Sequence, residues 1–292
     1  MTTDLPLAAT ASSSAALRAD DVSVAYDGVD VVRGARLELR PGCVTALVGP
    51  NGSGKSTLLR ALARLHKPDS GRIELSAGEA GTSDDAVDAF ALSHRDFARR
   101  VTLLAQSRPT PSGLSVRELV EFGRHPHRGR WVRGDEHGAA AVSRAMELTG
   151  VTDLAENQVD ELSGGQLQRV WLACCLAQDT EVLLLDEPTT YLDLRYQVEL
   201  LDLIRDLADH HGVTVGVVLH DLDQAAALAD VVVLLDAGRV LASGTPQQVF
   251  VAETLSAVYG IRVDVETDDA TGHVTARARG RHNSAARVIR TS

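Results

Sequence analysis

Lysine fills only two of the 29 basic positions in this 292-residue chain, and one of them, Lys55, falls in the run Gly49-Pro50-Asn51-Gly52-Ser53-Gly54-Lys55-Ser56. A chain that otherwise uses arginine keeps lysine where a compact ammonium must fit among phosphate oxygens and a planar guanidinium would not. The run fits the pattern of a phosphate loop: its glycines let backbone N–H groups face phosphate oxygens, and a helix beginning there adds positive potential. In that pattern Lys55 reaches the β- and γ-phosphates, Ser56 binds Mg²⁺, and Thr57 continues the nucleotide contact. The other lysine, Lys67, precedes Pro68 in a turn and reads as solvated.

Two further runs carry chemistry. Val182-Leu183-Leu184-Leu185-Asp186-Glu187 ends an apolar strand in two acids, where a ligand sits outside the carboxyl edge of a sheet. Asp186 is the expected partner of Mg²⁺, and Glu187 the base that orients or deprotonates water. Leu162-Ser163-Gly164-Gly165-Gln166 opens a helix whose apolar side runs Leu167, Val170, Trp171 and Cys174. Alone, it reads as an N-cap with a flexible start. Beside the other two runs it is a second surface for one triphosphate, so the chain offers half a site twice.

The elements that must position these residues follow from periodicity. Val22, Val24 and Tyr26 alternate, as do Leu37 and Leu39, which predicts an opening antiparallel sheet. Residues 44–48 are a short buried strand leading into the phosphate loop. A helix over 55–65 follows, with Leu58, Leu59, Leu62 and Leu65 at helical spacing. Strands are predicted at 101–104, 182–185, 213–219 and 231–235, with helices near 136–149 and 196–210. Alternating strands and helices imply a parallel sheet covered on both faces. Ser115 with Glu118 three residues later forms a capping box that opens a helical insertion over about 107–161. Residues 76–89, with Asp84, Asp85 and Asp88, read as an exposed insertion. The tail beyond Glu266 loses apolar periodicity and gathers Arg277, Arg279, Arg281, Arg287 and Arg290, so it reads as solvated.

Composition limits the alternatives. At 292 residues and 44% hydrophobic, the chain can bury one substantial core with a modest subdomain, or at most two domains. No apolar stretch approaches the ~18 residues that span a bilayer. Residues 1–16 lack a basic start and apolar core and read as a disordered leader. The odd set Cys43, Cys174 and Cys175 reads as free thiols in a reducing compartment. A formal charge of −11 disfavours a nucleic-acid partner bound through its phosphates.

Taken together, the phosphate loop, the paired acids and Leu-Ser-Gly-Gly-Gln resemble the ATP-binding cassette ATPases, the nucleotide-hydrolysing subunits of ABC transporters, over residues 17–250. The resemblance implies an α/β fold: a P-loop NTPase core with a parallel sheet, an N-terminal antiparallel β subdomain and an inserted α-helical subdomain. Residues 251–292 are left as a C-terminal extension. It implies ATP and Mg²⁺ as cofactors, with Mg²⁺ near Ser56, Gln106 and Asp186, and assigns roles to further residues. Tyr26 resembles the aromatic that stacks on adenine, Gln106 the glutamine that touches Mg²⁺ and the attacking water, and His220 the switch histidine at the γ-phosphate. Ser163, Gly164, Gly165 and Gln166 resemble the signature that faces a partner subunit's ATP, and Asp193 the acid of the loop that crosses to that partner.

A finer resemblance lies in Phe122-Gly123-Arg124-His125-Pro126-His127-Arg128-Gly129 and Thr189-Thr190-Tyr191. Both look like the subfamily that energises import of iron–siderophore complexes, haem and cobalamin; the bland alternative is a basic solvated loop. The implied partners are a second copy of the ATPase, an integral membrane permease and, indirectly, an extracytoplasmic substrate-binding protein, with no nucleic acid. The implied location is peripheral, on the cytoplasmic side of the cell membrane. The rival expectation is a soluble cassette ATPase scaffold such as that of iron–sulfur cluster assembly.

Overall fold

The computed structural model describes residues 15–77, 86–128, 135–190 and 192–280. Strands β1 (Ala15–Tyr26) and β2 (Val29–Leu39) form the expected antiparallel pair, joined at Asp27 and Gly28, both in left-handed backbone. Strand β1 starts within the stretch expected to be a leader, since Ala15 and Ala16 are buried in the ladder; residues 1–14 lie outside the described residues. Strand β3 (Val44–Val48) leads through the phosphate loop into α1 (Lys55–Leu62). Leu58, Leu59 and Leu62 are buried, but the helix stops at Leu62 and Leu65 is 67% exposed. Arg64, at φ 58°, turns the chain out of the helix before Leu65 reaches the core.

Strand β4 (Ser70–Ala77) pairs with β1, and β5 (Val87–Asp88) adds to β4, giving a four-stranded antiparallel sheet in the order β2-β1-β4-β5. The ends of the 76–89 insertion are therefore ladder residues, and Asp88 caps the next turn by accepting from Phe90 N–H at 2.9 Å; Asp84 and Asp85 lie outside the described residues. After the short helix α2 (His94–Ala98) comes β6 (Val101–Leu104). Later strands are β7 (Val182–Asp186), β8 (Thr214–Val218), β9 (Val231–Asp236) and β10 (Arg239–Gly244). They join β3 and β6 in a six-stranded sheet ordered β10-β9-β3-β8-β7-β6, parallel except for the β10 edge.

Period-two alternation divides this sheet between two cores. Val44, Ala46, Val48, Leu183 and Leu185 pack on one face with α6 (Leu194–His211) and α7 (Leu222–Leu228). Leu47, Val182 and Leu184 pack on the other, with α1 and the antiparallel sheet. Each fully buried leucine contributes about 2 kcal/mol of transfer free energy. That double burial fixes the register of β3 and β7, and so the places where their C-terminal ends release the chain.

The helical insertion contains α3 (Val116–Phe122), opened by the Ser115–Glu118 capping box, and α4 (Gly138–Leu148). Its core extends beyond residue 161 into α5 (Gly164–Ala177), because Val116, Val142 and Met146 pack with Val170 and Ala173. Gly123, ending α3, lies so close to α5 that a Cβ there would collide with the Cys174 carbonyl. Arg124 is buried: it chelates Asp135 from Nε (2.6 Å) and Nη2 (2.9 Å), and Nη1 donates to Ala177 O at 2.8 Å. The run 122–129 is thus not a solvated basic loop at Arg124, while Gly129 and Tyr191 lie outside the described residues.

The C-terminal extension departs from the solvated tail that was expected. Helices α8 (Pro246–Val249) and α9 (Ala252–Tyr259) lead into an antiparallel hairpin of β11 (Arg262–Thr267) and β12 (Val274–Arg279). Val263 and Val274 join the large core, Ala276 N–H donates to Asp223 on α7 at 2.8 Å, and Arg279 pairs with Asp264 at 2.7 Å. Weak alternation among arginines hid these strands, because most of their side chains face water. Arg281, Arg287 and Arg290 lie outside the described residues.

Candidate functional site

The residues at the centre of the site stand at or just beyond the C-terminal ends of sheet strands, with Lys55 and Ser56 in the first turn of the helix that follows β3. The loop after β3 begins at Gly49, whose φ of 145° and close approach to the Leu235 carbonyl leave no room for a side chain. Gly54, at φ 98°, starts α1 under the Val31 carbonyl. Within this frame Lys55 is buried, its Nζ donating to Gly49 O at 2.8 Å and Pro50 O at 2.9 Å. Burial lowers the Lys55 pKa, while the charges of Glu187 and Asp186 oppose that fall.

The next side chain, Ser56, donates its hydroxyl to Asp186 Oδ1 at 2.7 Å. The Asp186 side chain is fully buried at the end of β7, with Arg60 Nη2 3.5 Å from Oδ2. Desolvation raises its pKa, against the pull of the Ser56 hydroxyl and the Arg60 guanidinium. Arg60 was not singled out from sequence. It lies one helical turn beyond Ser56, a spacing that places both side chains on one face.

Glu187 leaves the strand at φ 53°, held by its N–H to Val218 O at 3.2 Å. One carboxylate oxygen accepts from Gln106 Nε2, and the other lies 2.5 Å from His220 Nε2. Gln106 comes from the end of β6 and His220 from the end of β8, the strands flanking β7. Asn51, Lys55, Ser56, Gln106, Glu187 and His220 line one open cleft of about 460 Å³, with Gly52, Gly54 and Thr57 along it. Ser53 is buried beneath the loop, and its N–H donates to Pro50 O at 3.2 Å.

The remaining expected residues stand outside that cleft. Tyr26 is 40% exposed, with its ring 4.5 Å from that of His66. Ser163 caps α5: its Oγ accepts from Gln166 N–H at 3.3 Å while Gln166 Oε1 accepts from Ser163 N–H at 2.9 Å. Ser163 and Gly164 are exposed, and Gly165 approaches Leu192. Asp193 caps α6 by accepting from Tyr196 N–H at 3.1 Å. A helix N-terminus with free N–H groups is a ready anion site, and Ser163, Gly164 and Gly165 are not among the residues that line the chain's own cleft.

The donor set around Ser56 suits a hard divalent cation. A hydroxyl, a carboxylate and a nearby amide oxygen are all oxygen ligands, and no group of three His, Cys, Asp or Glu gathers among the described residues. Mg²⁺ fits such a sparse set, because it takes its remaining ligands from water and substrate phosphates.

This architecture, a P-loop core with an antiparallel sheet and an inserted helical subdomain, defines an ATP-binding cassette ATPase. The sequence profile of the ABC transporter family matches residues 32–190, and the chain belongs to that family. It is 41% identical over 260 residues to the ferric enterobactin transport ATP-binding protein FepC of Escherichia coli (strain K12), covering 89% of this chain and 93% of that one. It is 43% identical to the cobalamin import ATP-binding protein BtuD of Halobacterium salinarum, over 87% of this chain and 61% of the relative. Among solved structures, an inward-facing putative metal-chelate type ABC transporter superposes with a TM-score of 0.76 at 26% identity, covering 91% of this chain and 98% of that one.

Proposed function

We propose that this chain is the ATP-hydrolysing subunit of an importer for metal chelates of the iron–siderophore, haem or cobalamin type. The observation that carries the reading is the 41% identity to a ferric enterobactin transport ATP-binding protein over nearly the whole of both chains. The 122–128 segment, in which Gly123 packs on α5 and Arg124 is buried, belongs to the same reading through its resemblance to the metal-chelate subfamily. No helix among the described residues is long and apolar enough to cross a membrane, so an integral permease is the partner that would carry the cargo.

In this reading Lys55 exchanges the loop carbonyls of Gly49 and Pro50 for phosphate oxygens, a trade of neutral acceptors for charged ones. Ser56 and Asp186, with Gln106 alongside, would hold Mg²⁺, which would supply positive charge to the phosphates when bound. Glu187 orients the attacking water and takes its proton. To do so its carboxylate must turn from Gln106 and His220, which frees the imidazole for the γ-phosphate. Catalysis is positioning and electrostatic stabilisation of in-line transfer.

Ser163 and Gly165 do not line the chain's own cleft, and Ser163 is exposed, which supports a head-to-tail dimer with each ATP between Lys55 of one copy and the signature of the other. Closure on ATP and release after hydrolysis would rock the permease docked near Gln106. Tyr26 is assigned to adenine and Asp193 to the crossing loop on the same basis.

The test combines a trap with transport. Glu187→Gln is expected to keep ATP binding and accumulate closed dimers; a variant that stays monomeric with ATP or hydrolyses at the normal rate sinks the mechanism. Deleting the gene should abolish uptake of one radiolabelled chelate among siderophore, haem and cobalamin. Unchanged uptake of all three overturns the substrate class.

A further inference from the structure

Glu187 has a left-handed backbone that a residue with a Cβ keeps only where its surroundings hold it. On its N-terminal side the sheet does so, through Val218 O. On its C-terminal side the holder comes from another layer: Gln168, on α5, donates from Nε2 to the Pro188 carbonyl at 2.8 Å. The same amide accepts at Oε1 from Arg108 Nη2 at 2.6 Å. Arg108 stands two residues past Gln106, and its guanidinium lies over the Trp171 ring of α5, 5.8 Å from the centroid.

These contacts close a circuit. It runs from Glu187 to the Gln106 side chain, along the backbone to Arg108, across the Gln168 amide to Pro188, and back to Glu187. Gln168 sits on the signature helix, five residues after Ser163, so any shift of that helix along its axis pulls on both flanks of the carboxylate at once. An amide is the one group of this length that accepts on one atom while donating on the other.

We propose that Gln168 is a positioning residue for hydrolysis: by clamping Arg108 and Pro188 it passes the seating of α5 on a partner's nucleotide to the Glu187 carboxylate. This rests on the roles proposed above for Ser163 and Glu187. A glutamate at 168 would keep Arg108 but could not donate to Pro188 O, and a leucine would lose both contacts. The wild-type rate is measured in the same assay, so a failure of the functional reading shows in the wild type and a failure of this inference only in the variants.

The experiment measures ATP affinity, steady-state hydrolysis and thermal melting of the full chain carrying Gln168→Glu or Gln168→Leu. Expected is a loss of about tenfold or more in kcat, as for small misplacements at a reacting centre, with ATP Kd within about twofold and melting preserved. The double variant Arg108→Leu/Gln168→Leu should be no slower than the slower single one, because both substitutions open the same circuit. Wild-type kcat in Gln168→Leu overturns the proposal, as does a fall in kcat matched by an equal loss of ATP binding or folded protein. If Gln168→Leu alone folds poorly, hydrogen exchange at Glu187 and Thr190 in folded Gln168→Glu decides: faster exchange there than in the rest of β7 supports the clamp, and uniform exchange overturns it.

Discussion

The Ser56 hydroxyl donates to Asp186 Oδ1 at 2.7 Å, joining the first turn of α1 to the end of β7 across 130 residues of sequence. Around that bond the chain has buried a carboxylate that needs a cation it does not itself supply in full. Arg60, at 3.5 Å and 42% exposed, is a weak substitute. The carboxylate is therefore left undercompensated in the chain by itself, and the protein's stability should register the lack.

Asp186→Asn tests this directly. Burial raises the Asp186 pKa in the folded state, so the associated stability is full below the unfolded value near 3.8 and is lost as pH rises through the folded value. Asparagine mimics the protonated form at every pH. Without nucleotide, the variant should melt higher than wild type at pH 7, by about 2–4 °C per kcal/mol recovered, with the gap closing toward pH 4. Its ATP hydrolysis should fall on the order of 100-fold, as when one charge clamp on the transition state is removed. A variant that melts lower at pH 7 would show that Ser56 and Arg60 already outweigh the burial cost.

Complementation tests the shared site. Lys55→Met and Ser163→Arg should each be inactive alone, because every site in either homodimer lacks one half. Mixed in equal amounts with exchange allowed, half of the dimers are heterodimers and each keeps one intact site of two. About a quarter of wild-type activity should then return. Absence of any recovery, with subunit exchange verified by mass, would refute the head-to-tail arrangement.

Arg124→Ala should destabilise the protein by about 3–5 kcal/mol, because it strands Asp135 and the Ala177 carbonyl beside a buried void. Arg128→Ala removes an exposed partner of Glu121 and should change little. Chemical denaturation of both variants makes the comparison. The Arg124 guanidinium holds Asp135 below its ordinary pKa, so the pair's stability is present above 3.8 and is lost as pH falls through the depressed value.

The thiols should be silent in the native state. Burial pushes Cys174 up to about 12 and Cys175 to about 11, and raises Cys43 as well. At pH 8 with iodoacetamide, mass spectrometry should find all three cysteines nearly unmodified until denaturant is added, since the thiolate is the reactive form. Rapid alkylation of Cys174 in folded protein would contradict the packing of α3 on α5.

Much of this molecule was legible because its chemistry is local. A phosphate loop needs Gly49 at φ 145° and Gly54 at φ 98°, and both needs leave glycines at fixed spacing. The strands at 44–48 and 182–186 are apolar but for Thr45 and the terminal Asp186, because both sheet faces are covered. Hairpin β11–β12 was missed for the converse reason: Arg262, Arg277 and Arg279 face water and mask the buried Val263 and Val274. Leu65 was misjudged because periodicity does not record where a left-handed Arg64 ends a helix.

By itself the sequence carried the fold class and marked Lys55, Ser56, Asp186 and Glu187, since residue type and short-range spacing point to these, while His220 and the role of Leu162 to Gln166 came from the family resemblance. Only the tertiary structure decided that Ser163 is not part of the lining of the chain's own cleft, that Arg60 is the stand-in charge beside Asp186, and that Gln168 ties α5 to both sides of Glu187. These relations join residues 20 to 126 positions apart. They exist only because the parallel sheet brings the ends of β3, β6, β7 and β8 to one edge, and no local pattern along the chain carries that geometry.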